Sequence, residues 1–223
     1  MGDRDMSGKL RGVYAVALTM GLTYYFVRNT SIAGPLLFAW KGAGVALLAA
    51  WCAGASRSFD GWLIAGTMAL GALGDVLIET SGLTAGALAF MAGHVLALAL
   101  YLRNQRPGLT LNQHLGAALV VPLSVFIAIT LVPPQRSVGI AAYTFLVAAM
   151  AASAWSSRFP RTRVGMGAMM FLASDLLIFA RIGPLARSWP PELLIWPLYF
   201  AGQALIASGV VRTLRTADRG ITP

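Results

Sequence analysis

Charge is what this chain of 223 residues has least of: 11% are Asp, Glu, Lys or Arg, against 57% hydrophobic. Soluble domains carry about 25% charged residues, so the composition excludes an ordinary water-soluble globule and points to the membrane class. Cysteine is nearly absent. Cys52 stands alone, which rules out a disulfide framework or a Cys-based metal site. With only His94 and His114, a three-histidine zinc site cannot form. There is no GxSxG elbow and no phosphate-cradling glycine loop. No polar half or low-complexity linker separates domains, so a single transmembrane domain over 1–223 is expected. The N-terminal apolar stretch lacks a small-residue cleavage site and reads as a retained first helix.

What is present in quantity is apolar runs. Eight are long enough to cross a bilayer, near 12–28, 32–54, 61–80, 83–103, 114–132, 137–156, 163–181 and 192–211. The fold class expected is therefore all-α: a polytopic bundle of about eight transmembrane helices. The net charge of +9 comes from basic residues scattered through short loops, which is a topological pattern and not a nucleic-acid footprint. With the N-terminus inside, the cytoplasmic loops and ends hold Arg4, Lys9, Arg11, Arg57, Arg103, Arg106, Arg158, Arg161, Arg163, Arg212, Arg215 and Arg219. The other side holds Arg28, Arg136, Arg181 and Arg187, and Lys41 lies within a span. This bias predicts both termini in the cytoplasm, and in a bacterium the inner membrane.

The two halves echo one another. "GDVLI" at 74–78 in span three matches "SDLLI" at 174–178 in span seven, and "FMAGH" at 90–94 in span four matches "YFAGQ" at 199–203 in span eight. Spans four apart run in the same direction. A four-plus-four parallel repeat is expected, with halves of about 12–103 and 114–211 and an axis along the membrane normal.

The eight carboxylates include Asp75, Glu79 and Asp175 inside apolar runs. An ionisable residue at mid-span costs about 2.5–3.5 kcal/mol on insertion scales, so a group of them calls for a function. Lys41, His94 and Gln203 join them, with Tyr101 and Tyr199 nearby. Asp75 and Asp175 fall five or six residues from the outer ends of their spans, roughly 8–9 Å below the interface. The polar set is thus expected in the non-cytoplasmic half of the bundle. Structural roles compete with functional ones. Glu79 could simply meet water, Lys41 could be a counter-ion for Asp75 or Asp175, and His94 and Gln203 could join helices by hydrogen bonds.

An intramembrane Lys in span two, "GD" in span three, "GH" in span four, "SD" in span seven and "YFAGQ" in span eight together resemble the YhhN family, the lysoplasmalogenases. The resemblance covers nearly all spans. It implies hydrolysis of the vinyl ether bond of a lysoplasmalogen to a fatty aldehyde and a glycerophospho-alcohol, with no metal or organic cofactor. Its partners would be a lysophospholipid substrate and membrane lipids. The family's core acids map onto Asp75 and Asp175, with Lys41, His94, Tyr199 and Gln203 as neighbouring matched positions; Glu79 and Ser174 are further supporting candidates by their place beside the two aspartates.

Such a reaction suits two carboxyls. Protonation of the β-carbon of a vinyl ether leaves an oxocarbenium-like cation, to which water adds. One aspartate would donate and the other, ionised with help from Lys41 or His94, would stabilise the cation or activate water, as in glycoside hydrolysis. Arg28, Arg181 and Arg187 are headgroup candidates by charge and side, although they also serve as ordinary loop charges. Two other classes compete. A proton-coupled transporter would use buried acids and a repeat, and would show broken helices at matching positions. An intramembrane diaspartyl protease would show GxGD, which the Gly71-Ala72-Leu73-Gly74-Asp75 spacing does not supply.

Overall fold

The computed structural model describes residues 2–218, with side chains from 8 to 217. Arg219 lies outside the described residues, as does the side chain of Arg4. Eight α-helices follow in order: α1 Gly2–Val27, α2 Pro35–Ala55, α3 Phe59–Thr80, α4 Leu83–Arg103, α5 Leu111–Thr130, α6 Pro134–Ser156, α7 Met166–Ile182 and α8 Trp189–Asp218. All eight contain stretches long and apolar enough to cross a membrane. The expected all-helical bundle of eight spans is what the chain forms.

Local chemistry sets the ends. Proline stands at the first positions of α2 and α6, where its missing N–H costs nothing. Ser58 caps α3 by accepting from the Gly61 amide at 3.1 Å. Thr110 and Gln113 form a reciprocal capping box at the start of α5. Three boundaries depart from the sequence reading. The first helix begins ten residues earlier than residue 12 because its polar lead continues the helix into the aqueous side. The seventh is entered through a π-helical turn, Arg161–Gly165. The eighth continues to Asp218, and Pro197 lies within it without breaking it. Pro122 likewise lies inside a continuous α5.

Two compact units make up the chain, residues to Ala97 with those from Val210, and Leu98–Gly209. In the first, α1 packs on α2 and α2 on α3. Tyr14 meets Trp51 with ring centroids 4.6 Å apart, and the Trp40 indole donates to Thr23 Oγ1 at 3.2 Å. In the second, α5, α6 and α7 pack on one another. Large apolar side chains nonetheless face outward. Leu111, Leu115, Leu119, Leu123 and Phe126 line one exposed face of α5, with Phe126 63% exposed. In water such a stripe would drive aggregation; in a bilayer the acyl chains solvate it.

Each unit contains a crossing made at glycine. In the first, a Cβ on Gly93 of α4 would stand 3.3 Å from the Thr67 carbonyl oxygen and 3.9 Å from the Gly71 amide nitrogen of α3. In the second, a Cβ on Gly202 of α8 would stand 2.7 Å from the Gly167 carbonyl oxygen and 3.3 Å from the Phe171 amide nitrogen of α7. Aligning "GDVLI" with "SDLLI" pairs 67 with 167 and 71 with 171, and aligning "FMAGH" with "YFAGQ" pairs 93 with 202. Corresponding positions therefore meet in both units.

Candidate functional site

In the first unit the acids sit on the last turns of α3. Asp75 is buried at 2% exposure, and Glu79, one turn further along the same face, is exposed. Lys41 enters from α2, and its Nζ donates to Glu79 Oε1 at 2.6 Å. The sequence left Lys41 as a counter-ion for Asp75 or Asp175; the ion pair seen is with Glu79. The reason is depth. Lys41 stands six residues inside the start of α2, and its flexible stem carries the ammonium outward to the exposed carboxylate, where both charges keep part of their hydration. Glu79 accordingly meets more than water.

Tyr24 of α1 and Arg28, just past its end, complete this end. Tyr24, 8% exposed, lies within electrostatic reach of both Glu79 and Asp75, and of Arg28. Arg28 stacks its guanidinium 4.6 Å over the Tyr25 ring. Arg28 thus belongs to the same polar group as Asp75, Glu79 and Lys41. His94 is buried in α4 immediately after Gly93, at the level of the α3 crossing.

In the second unit Asp175 is buried on α7, and Tyr143 of α6 donates its phenol O–H to Asp175 Oδ2 at 2.8 Å. Phe179, one turn beyond Asp175, meets the Tyr143 ring edge-on at 6.0 Å and fixes the phenol's direction. Ser174 Oγ donates to the Ile195 carbonyl at 2.9 Å, tying α7 to α8. Tyr199 packs between Phe171 and Trp196, at 5.2 and 5.5 Å. Gln203 is buried directly after the crossing glycine Gly202, as His94 is after Gly93. Arg181, in the last turn of α7, and Arg187, in the loop after it, are exposed.

Tyr143 is the residue the sequence reading passed over. A lone tyrosine in an apolar span looks like any interfacial aromatic. Depth was the available signal: Tyr143 lies nine residues into α6 and Asp175 seven from the end of α7, roughly 13 and 10 Å from the same side. Tyr101, expected near the polar set, belongs elsewhere. It is fully buried two residues before the end of α4, with its ring 6.1 Å from Phe159 at the opposite end of α7. Among the described residues no three His, Cys, Asp or Glu side chains cluster as metal ligands would.

Eight apolar helices, with a buried carboxyl in each of two units, define a polytopic helical membrane protein. The family is equally plain. The chain belongs to the YhhN family, whose model matches residues 36–210, from the start of α2 into α8. No curated protein and no solved structure matched the chain.

Proposed function

We infer that this protein is a hydrolase of lysoplasmalogen-like lipids, cleaving the vinyl ether of a single-chain phospholipid. The observation that carries this reading is a buried carboxyl on an apolar helix in each unit, Asp75 and Asp175. YhhN membership supports the reaction class. In the proposed sequence a carboxylic acid protonates the β-carbon of the vinyl ether, and the electron pair of the double bond forms the new C–H bond. The resulting oxocarbenium ion takes up water, whose proton passes to a carboxylate. The hemiacetal then collapses, the proton returning to the departing glycerol oxygen, to give a fatty aldehyde and a glycerophospho-alcohol. Atoms balance with water alone as co-reactant. A dry site strengthens each electrostatic contact to the cation.

Supporting roles follow from position. The Tyr143 phenol holds Asp175 through Oδ2 and leaves Oδ1 for the reaction. One helical turn, about 5.4 Å, separates Asp75 from the level of Glu79 and Lys41. That rise is close to the separation of a vinyl ether from the phosphorus of the same lysophospholipid. Lys41 and Arg28 therefore suit the headgroup phosphate and Glu79 a headgroup ammonium, with Arg181 and Arg187 as rim cations in the other unit. His94, Ser174, Tyr199 and Gln203 shape the surrounding helix contacts. Loop charge favours an inner-membrane site open to the non-cytoplasmic side. The shared glycine crossings support a four-plus-four duplication.

Purified protein given a lysoplasmalogen and its saturated ether analogue should release aldehyde from the first alone. No aldehyde from either, with lipid or proton movement in vesicles, would replace the enzyme by a transporter. Helices α5 and α8 run unbroken through Pro122 and Pro197, so the structure gives that alternative no broken-helix pair.

A further inference from the structure

Far from the acids, the second unit closes its other end with an ordered set of arginines. The α4–α5 and α6–α7 loops are laced by an isolated antiparallel bridge between Gln105 and Ser157. The Arg106 amide donates to Ser156 O at 3.1 Å and the Arg158 amide to Asn104 O at 2.7 Å. Three guanidiniums are then pinned by one N–H each. Arg106 Nη2 donates to Phe159 O at 3.2 Å, Arg158 Nε to Asn104 Oδ1 at 2.6 Å, and Arg161 Nε to Trp155 O at 3.0 Å. Arg158 also lies 5.6 Å over the Phe159 ring, so Arg106 and Arg158 meet at that residue. Arg103 and Arg163 flank them.

This end has no compensating acid of its own unit. Among the described residues, the carboxylates of Leu98–Gly209 are Asp175, nine residues into α7, and Glu192, in the first turn of α8 at the opposite end. Arg161 Nη2 is buried and has no hydrogen-bond partner within the protein. Buried donors are almost always satisfied, so this orphan marks a guanidinium whose pairing is incomplete within the protein. Loop arginines that serve topology alone need only be charged; these are oriented, with their remaining N–H groups free to form the forked contacts that suit phosphate oxygens.

The level identifies the acceptor. Arg103 and Arg161 are the terminal residues of their membrane spans, at headgroup height. Just inside that rim Leu102, Leu111, Leu115 and Met166 are exposed, at 51, 72, 52 and 48%. A soluble anion has no use for such an apolar skirt, whereas the acyl chains of a phospholipid would cover it. We propose that Arg106, Arg158 and Arg161 form a binding site for the phosphate of an anionic phospholipid in the leaflet at this end, separate from the acid site. The lipid is a bound structural partner here, with no bond made or broken.

The test is lipid retention by the full-length protein, read by native mass spectrometry from nanodiscs of equal phosphatidylglycerol and phosphatidylcholine. Phosphatidylglycerol should be retained preferentially. Each arginine replaced by glutamine should lower that preference about fivefold, the effect of one cation at a membrane surface. The Arg136→Gln control, exposed in the first turn of α6, should leave it unchanged. Should the Arg106 or Arg158 variant fail to fold, Arg161→Gln decides, since it gives up one hydrogen bond to the protein. Equal retention of both lipids, or an unaltered preference in Arg161→Gln, overturns the site. Displacement of the lipid by millimolar inorganic phosphate would assign the arginines to a soluble anion and overturn the lipid. Aldehyde release plays no part in the readout.

Discussion

Tyr143 and Asp175 share a 2.8 Å hydrogen bond between two buried side chains on neighbouring membrane helices. The phenol is the donor, and the carboxyl is held through Oδ2. This fixes the plane of the carboxyl, as the proposed reaction would require of an acid at the end of a rotatable bond.

Replacing Tyr143 by Phe keeps the ring against Phe179 and removes only the donor. Hydrogen bonds to charged groups are worth about 1.5–3 kcal/mol, so kcat for aldehyde release should fall roughly 10- to 100-fold. KM should change little. A fall confined to KM, or a wild-type kcat, would take Tyr143 out of the mechanism. Circular dichroism and the detergent melting curve check that the fold persists.

Asp75→Asn and Asp175→Asn should each abolish turnover while the proteins remain folded. Amides keep the size and much of the hydrogen bonding but can neither donate the acidic proton nor carry the negative charge. Aldehyde release near the wild-type rate in either variant removes that residue from the chemistry.

The ion pair on the rim predicts a different pattern. Lys41→Met leaves Glu79 without its cation, and Glu79→Gln leaves Lys41 without its anion; the double replacement leaves neither charge. Because Glu79 keeps 33% exposure, the coupling energy in a double-mutant cycle of melting stability should be about 1 kcal/mol or less. For the substrate, Lys41→Met should raise KM with kcat nearly intact, as expected for a headgroup contact made equally in ground and transition states. A loss confined to kcat would place Lys41 with the catalytic acids instead.

The crossings predict an asymmetry between equivalent glycines. A Cβ at Gly202 would press 2.7 Å from a backbone oxygen that cannot rotate away, whereas at Gly93 the nearest atom would lie at 3.3 Å. Gly202→Ala should therefore lower the melting temperature in detergent clearly more than Gly93→Ala, in keeping with the 1–3 kcal/mol typical of overpacking. Equal melting temperatures would mean that α7 and α8 separate readily.

Much of this was legible in the residues because lipid imposes one rule, that every span must satisfy its own backbone. Apolar run length therefore located all eight helices. The rare acids marked themselves by their cost, and Asp75 and Asp175 are indeed buried. Partners were harder. Lys41 was legible as a counter-ion but not as the partner of Glu79, because the sequence does not show how far a lysine stem will reach toward water. Tyr143 was hidden because a phenol costs little to insert and so carries no warning. The π-helical entry to α7 depends on how the Arg161–Gly165 backbone packs beside Trp155, which no periodicity records.

Where Gly167 and Gly202 face each other, two main chains touch with no side chain between them. Rotamers are the soft material of a protein, the part that yields a few tenths of an ångström to absorb a neighbour's shift. At this point there is none. The contact acts as a rigid joint, and Asp175, about two helical turns along α7, inherits its stiffness. In the proposed reaction, the carboxyl that meets one carbon of a flexible lipid is thereby carried on a stiff backbone seam, so the adjustment on binding would fall to the lipid.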